Sequence, residues 1–174
     1  MQFSIPSFRD FVKCCDISST FHSLVCGTRD NSLMFCSMTS HSIIKIVDLD
    51  AKPIQLLITL SWGFTVVYMR SLSEGKSTHY LAVFGTNGYL IRKVEIENSV
   101  KKMTTWRDEK GFDFVLFADS KNKVFAFEAF YCQIGNPIFE SSSNVINLSY
   151  MESHHTVVTL CENGMVFFIP ATFN

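Results

Sequence analysis

Four stretches of this chain begin alike: Phe11-Val12-Lys13-Cys14-Cys15, Ile54-Gln55-Leu56-Leu57-Ile58, Val100-Lys101-Lys102-Met103-Thr104 and Val145-Ile146-Asn147-Leu148-Ser149. They recur about every 45 residues, close to the period of roughly 40–45 expected of a four-stranded propeller blade. A repeat of this kind constrains the fold more than any single motif, because each unit must bury its apolar face against its neighbours.

Each unit then continues in the same order. Second apolar runs are Leu24 to Cys26, Phe64 to Tyr68, Phe112 to Phe117 and Val157 to Leu160. Turn chemistry follows at Gly27 to Asn31, Ala118 to Asn122 and Cys161 to Gly164. The second unit instead shows a polar stretch, Ser71 to Ser77, which reads as a loop, with the tight turn delayed to Thr86-Asn87-Gly88. Asn-Gly between apolar runs is a strong hairpin signal, since both residues tolerate positive φ. Third runs are Leu33 to Cys36, Tyr80 to Phe84, Val124 to Phe127 and Met165 to Ile169. Fourth runs, Ile43 to Val47 and Leu90 to Ile96, alternate apolar with polar as a strand wetted on one face should. No window keeps helical spacing for a dozen residues without a Gly, Pro or polar turn.

The expectation is therefore an all-β chain, a WD-repeat-like β-propeller of about four blades, each a four-stranded antiparallel sheet, forming part of a larger ring. The blades are expected over 9–50, 51–98, 99–143 and 144–174, with 1–8 as a stray outer strand, the whole making one partial propeller over 1–174.

Seventeen phenylalanines fit this reading, because large aromatics suit pleated, half-buried surfaces. A formal net charge of −1 disfavours nucleic acid as a partner. Apolar runs are too short to span a membrane, and Met1 to Pro6 lacks the basic start and apolar stretch of a secretory signal. Six cysteines without a C-x-x-C pair read as reduced thiols packed among apolar residues, hence a cytoplasmic protein with no metal and no cofactor.

Several constellations invite chemistry. Trp62-Gly63-Phe64 is either an aromatic cradle for a ligand or a tight corner with two aromatics in the core, the simpler reading. His154-His155, beside Glu152 and Cys161, reads as a solvated loop, since adjacent strand residues point to opposite faces. Arg107-Asp108-Glu109-Lys110 with Asp113 reads as a charged hairpin loop rather than a carboxylate pair for acid–base work. No G-x-S-x-G elbow, Walker-type loop or G-x-G-x-x-G occurs.

The segment Ile58-Thr59-Leu60-Ser61-Trp62-Gly63-Phe64-Thr65-Val66-Val67-Tyr68 resembles the C-terminal WD-repeat region of BEACH-domain proteins, the Beige and neurobeachin group. So do His79-Tyr80, Thr86 to Arg92, Gly111 to Phe114 and Phe127 to Tyr131, with Cys15 to Ser18 and Cys26 to Asp30 fitting the preceding repeat. The likeness runs over nearly the whole chain. It implies a place in a large cytosolic protein of vesicle trafficking. The BEACH domain and the pleckstrin-like domain beside it do not lie in these residues, so no functional residue of the family carries over. The Trp-Asp and Gly-His signatures of typical WD repeats are absent, with Gly27 to Asp30 the nearest echo.

The function expected is a non-catalytic protein–protein interaction scaffold, the WD-repeat part of a BEACH-like protein. Rigid blades position variable loops, so Arg29, Asp30, Lys101, Lys102, Trp106 and Lys121 are the candidate protein-binding residues. Partners would be other proteins, including further blades or a BEACH domain, at vesicle membranes without insertion. Two alternatives belong to other classes: a closed β-barrel holding a small apolar ligand, and a propeller hydrolase, for which no paired catalytic residues can be named.

Overall fold

The computed structural model describes residues 11–171. They divide between Glu97 and Asn98 into two compact units. The first carries β1 (Val12–Ser18), β2 (Ser23–Thr28), β3 (Ser32–Ser37) and β4 (Ser42–Asp48) as one antiparallel sheet in chain order. Its second sheet is β5 (Lys52–Ile58), β6 (Thr65–Ser73), β7 (Lys76–Phe84) and β8 (Leu90–Ile96), also in chain order. The second unit holds β9 (Val100–Arg107), β10 (Asp113–Asp119) and β11 (Lys123–Glu128), with the short β12 (Gln133–Ile134) and β13 (Phe139–Glu140) both pairing with β11. Its other sheet is β14 (Val145–Met151), β15 (Thr156–Cys161) and β16 (Val166–Pro170), with a 3-10 turn at Glu152–His154. The fold is all-β, in four open antiparallel meanders. No sheet closes on itself, so the barrel alternative is not what the described residues form. The expected outer strand over 1–8 lies outside the described residues.

The backbone repeats more faithfully than the side chains. Near the start of every first strand the ladder skips one residue: Lys13, Ile54, Lys101 and Ile146 each sit in a register shift. Such bulges bend a strand and increase its local twist. In three meanders the residue after the second strand also donates its N–H to the carbonyl just before the first: Arg29 to Phe11 (2.9 Å), Ser120 to Ser99 (2.8 Å) and Glu162 to Asn144 (2.8 Å).

Two features depart from the sequence expectations. Ser71 to Ser77 is not a loop. There β6 and β7 run on for nine residues each and turn at Glu74-Gly75, both at positive φ (50° and 77°), between the paired Ser73 and Lys76. The strand ends project where little is buried, so they need no apolar residues and carry a loop-like composition. The tight turn Thr86-Asn87-Gly88 consequently joins the third strand to the fourth. In the third meander the fourth position, for which the sequence shows no apolar run, is filled by β12 and β13, two residues each. Gly135 and Pro137 lie between them, and proline cannot donate to a ladder.

In the first unit the core is built from Val25, Leu33, Phe35, Leu56, Ile58, Val67, Met69 and Phe84, with Phe35 tilted against Phe84 at 6.3 Å between ring centroids. In the second, Trp106, Phe114, Leu116, Val124, Leu148 and Val157 do the same. Every residue of β10 is buried, as an unbroken apolar run flanked by two aspartates requires when both faces are covered.

All six cysteines are free thiols. Burial pushes the Cys14 thiol up to about 11 and the Cys26 thiol up to about 12, while Cys15 is exposed. The thiolate is the reactive form. Iodoacetamide at mildly alkaline pH should therefore alkylate Cys15 first, with Cys26 and Cys36 modified only in denaturant. Equal rates at Cys15 and Cys26, read by peptide mass spectrometry, would contradict this packing.

Candidate functional site

One groove of about 480 Å³ opens in the second unit, lined by Trp106, Asp108, Glu109, Lys110, Phe112, Phe114, Glu128, Tyr131, His155 and Ala171. Its floor follows from strand alternation. Trp106 and Phe114 are paired across β9 and β10, so both side chains stand on one face. Their rings stack at 4.4 Å, and Trp106 also packs on Tyr150 at 6.0 Å.

The wall from Asp108 to Phe112 is a tight loop. Its Asp108 carboxylate accepts from the Lys110 N–H (3.0 Å) and the Phe112 N–H (2.7 Å). The Asp108 N–H donates in turn to the Phe112 carbonyl at 3.0 Å. Gly111, at φ +85°, supplies the left-handed residue the loop needs.

Opposite, β11 ends at Glu128. Its carboxylate accepts from the N–H groups of Phe130 (2.9 Å) and Tyr131, which fixes the corner presenting the half-exposed Tyr131 ring. The third side is the Glu152–His154 turn. His155 there meets the Tyr150 hydroxyl through Nδ1 at 3.1 Å and lies 3.7 Å from the Glu109 carboxylate through Nε2. Ala171 is brought in by its N–H bond to the His155 carbonyl, 3.0 Å.

The groove is thus aromatic below and acidic at the rim. Arg107 is drawn off to Glu152 at 3.0 Å. The Tyr150 phenol is raised chiefly by burial; its hydrogen bond from Trp106 opposes this, and the charges of Glu152 and Glu109 add to it. Ser153 and His154 pair at 2.7 Å, but on the exposed turn and outside the groove lining. Among the described residues no group of three or more His, Cys, Asp or Glu is placed to hold a metal ion. The His154-His155 segment is exposed, as a solvated loop should be.

The residues singled out from sequence do not assemble into one site. Arg29 and Asp30 form the β2–β3 turn of the first unit. Asp30 accepts there from the Thr28 hydroxyl and from the Ser32 hydroxyl, the latter at 2.9 Å. Lys101 and Lys102 lie on β9 rather than in a loop between blades. Lys101 sits at the bulge, its Nζ 2.9 Å from both Asn122 Oδ1 and Asn144 Oδ1. Lys121 occupies the β10–β11 turn, its N–H held by Asp119 at 2.9 Å. Trp106 is a strand residue only 4% exposed, so its indole is groove floor and core rather than loop surface.

The Trp62-Gly63-Phe64 corner is real, closed by the Thr59 N–H to the Phe64 carbonyl at 2.8 Å. Its aromatics are not both core, however: Trp62 is half exposed and stacks over Phe64 at 6.3 Å.

The Asp30 contacts with Thr28 and Ser32 hold its carboxyl below the usual carboxylate range. A depressed folded value means the stabilisation is present above about pH 4 and is lost as pH falls through the folded value. Asp30→Asn should therefore flatten the acid limb of a pH–stability curve while leaving the neutral region unchanged in slope. An acid limb identical to that of the parent would show the turn contacts to be thermodynamically silent.

No protein-family model matches the chain, and no curated protein matches it. Among solved structures, the computationally designed Ika4 protein is similar over 95% of this chain and 94% of that one, with a TM-score of 0.68 at 12% identity. The likeness is one of fold. No helix among the described residues is long and apolar enough to cross a membrane.

Proposed function

We propose that this chain is a WD-like β-propeller segment whose work is to bind another protein, without catalysis, and that the groove in the second unit is the binding surface. The observation that carries the reading is the groove itself, with the exposed rings of Phe112 and Tyr131 over the buried Trp106–Phe114 floor, held between loops that are rigidified by their own hydrogen bonds. Tyrosine, tryptophan and phenylalanine in such a setting give large contact area at low entropic cost. The repeated meander with its repeated bulge supports the propeller, and the sequence resemblance supports a BEACH-like setting in vesicle trafficking and a cytoplasmic location. The two carboxylates best placed for chemistry, Asp108 and Glu128, are both occupied in holding backbone N–H groups, which favours binding over acid–base work.

Selection of displayed random peptides on the immobilised chain tests this. Enriched peptides should bind the parent and lose at least about tenfold in affinity to Phe112→Ala and Tyr131→Ala, each of which truncates an interface aromatic. Peptides that bind those variants as well as the parent would place the interaction elsewhere, and failure to enrich any would remove the proposal.

A further inference from the structure

Glu128 is 4% exposed, yet its carboxylate meets only backbone N–H donors, and no cationic side chain pairs with it among the described residues. Arg107, on the strand that carries Trp106, is committed to Glu152 at 3.0 Å. Lys110 stands on the groove wall but forms no ion pair with it. A buried charge without a counter-charge is costly, and two N–H bonds offset only part of that cost. The same groove gathers Asp108 and Glu109, so its lining carries three carboxylates against the Lys110 ammonium and the His155 imidazole, the latter 3.7 Å from Glu109. The lining also includes Trp106, Phe112, Phe114 and Tyr131. Aromatic faces and carboxylates together attract one kind of group, a cation on an apolar stem. The volume falls within the range of about 300–1,000 Å³ usual for ligand sites, room for a long side chain with its flanking backbone.

Resting on the reading of the groove as a protein-binding surface, we propose that it takes a cationic side chain, arginine in first place, from an extended segment of the partner, with the aromatic rings against its stem and Glu128 and Glu109 answering its charge. Arginine is favoured over lysine because its planar, weakly hydrated guanidinium can stack on a ring while donating to a carboxylate.

The test uses the full chain, isotopically labelled, titrated with acetylated and amidated pentapeptides Gly-Ser-X-Ser-Gly in which X is arginine, lysine, citrulline or glutamate. Nuclear magnetic resonance follows the Trp106 indole N–H and the backbone amides of Phe112 and Tyr131. The arginine peptide should shift these signals and bind about tenfold more tightly than the citrulline peptide, which keeps the shape and loses the charge. Glu128→Gln should abolish that preference. Because Glu128 also caps its corner, Glu109→Gln on the exposed rim provides a second variant, expected to weaken the arginine peptide alone by a smaller factor. Citrulline or glutamate peptides binding as tightly as arginine would overturn the cationic specificity while leaving the groove as a binding surface. If no peptide of any charge moves the groove signals, the binding surface falls with it.

Discussion

Trp106→Ala is expected to cost about 3–5 kcal/mol, the range for deleting a large buried aromatic, and to show first in the second unit. The indole is almost wholly enclosed, stacks on Phe114, and hydrogen-bonds the Tyr150 hydroxyl, so truncation leaves a cavity and deprives a phenol of its donor. It joins the β9–β10–β11 sheet to β14 through a shared core. Domain stabilities are of order 5–15 kcal/mol, so a loss of this size leaves the second unit marginal. Urea unfolding followed by far-ultraviolet circular dichroism gives the difference. The chain has two tryptophans, and Trp62 in the first unit remains as a fluorescent reporter in the variant. A midpoint shift worth less than about 1 kcal/mol, the size of an average substitution, would mean that the indole at the floor of the groove does not carry the core of the second unit.

Gly63→Ala is the second large effect. Gly63 has φ +66°, where an L side chain is strained by about 1–2 kcal/mol. A Cβ there would also lie 2.8–3.0 Å from the ring atoms of Phe21, which packs against the core of the first unit. Overpacking of this kind typically adds about 1–3 kcal/mol. The expected loss is therefore about 2–5 kcal/mol by those two contributions. The double variant Phe21→Leu/Gly63→Ala should recover part of the steric share but none of the backbone share. Full recovery would show that the left-handed corner is not under strain, and no loss in the single variant would show that it is not rigid.

How far the sequence speaks can be read from particular residues. The first strands, starting at Val12, Lys52, Val100 and Val145, begin within two residues of the apolar repeat starts Phe11, Ile54, Val100 and Val145, because a strand with one covered face must declare itself in alternation. The hairpin at Glu74-Gly75 was hidden for the opposite reason: its flanking residues bury little, so nothing in their chemistry distinguishes an extended arm from a loop. Trp106 reads as surface when judged by its charged neighbours Arg107 to Lys110, and only its pairing with Phe114 turns it inward. Of the groove, the charged loop from Arg107 to Lys110 was legible locally, while the Phe127 to Tyr131 segment entered only through the family resemblance. Their convergence depends on the β11 corner and on the carboxylate of Glu128 turning back to its own backbone, which no local pattern announces.

The skipped residue near the start of each first strand also bears on how this architecture tolerates sequence drift. An antiparallel ladder that slips by one position turns its whole apolar set to the wrong face. A fixed kink acts as a phase marker, resetting the ladder at the same point in every meander. The residue at the kink is left out of the pairing, and this chain puts lysine there twice and isoleucine twice. The four meanders can thus be superimposed by their kinks where their letters disagree. Deleting Lys13 or Ile146 should do more harm than replacing it, since deletion removes the marker and replacement only changes what hangs from it.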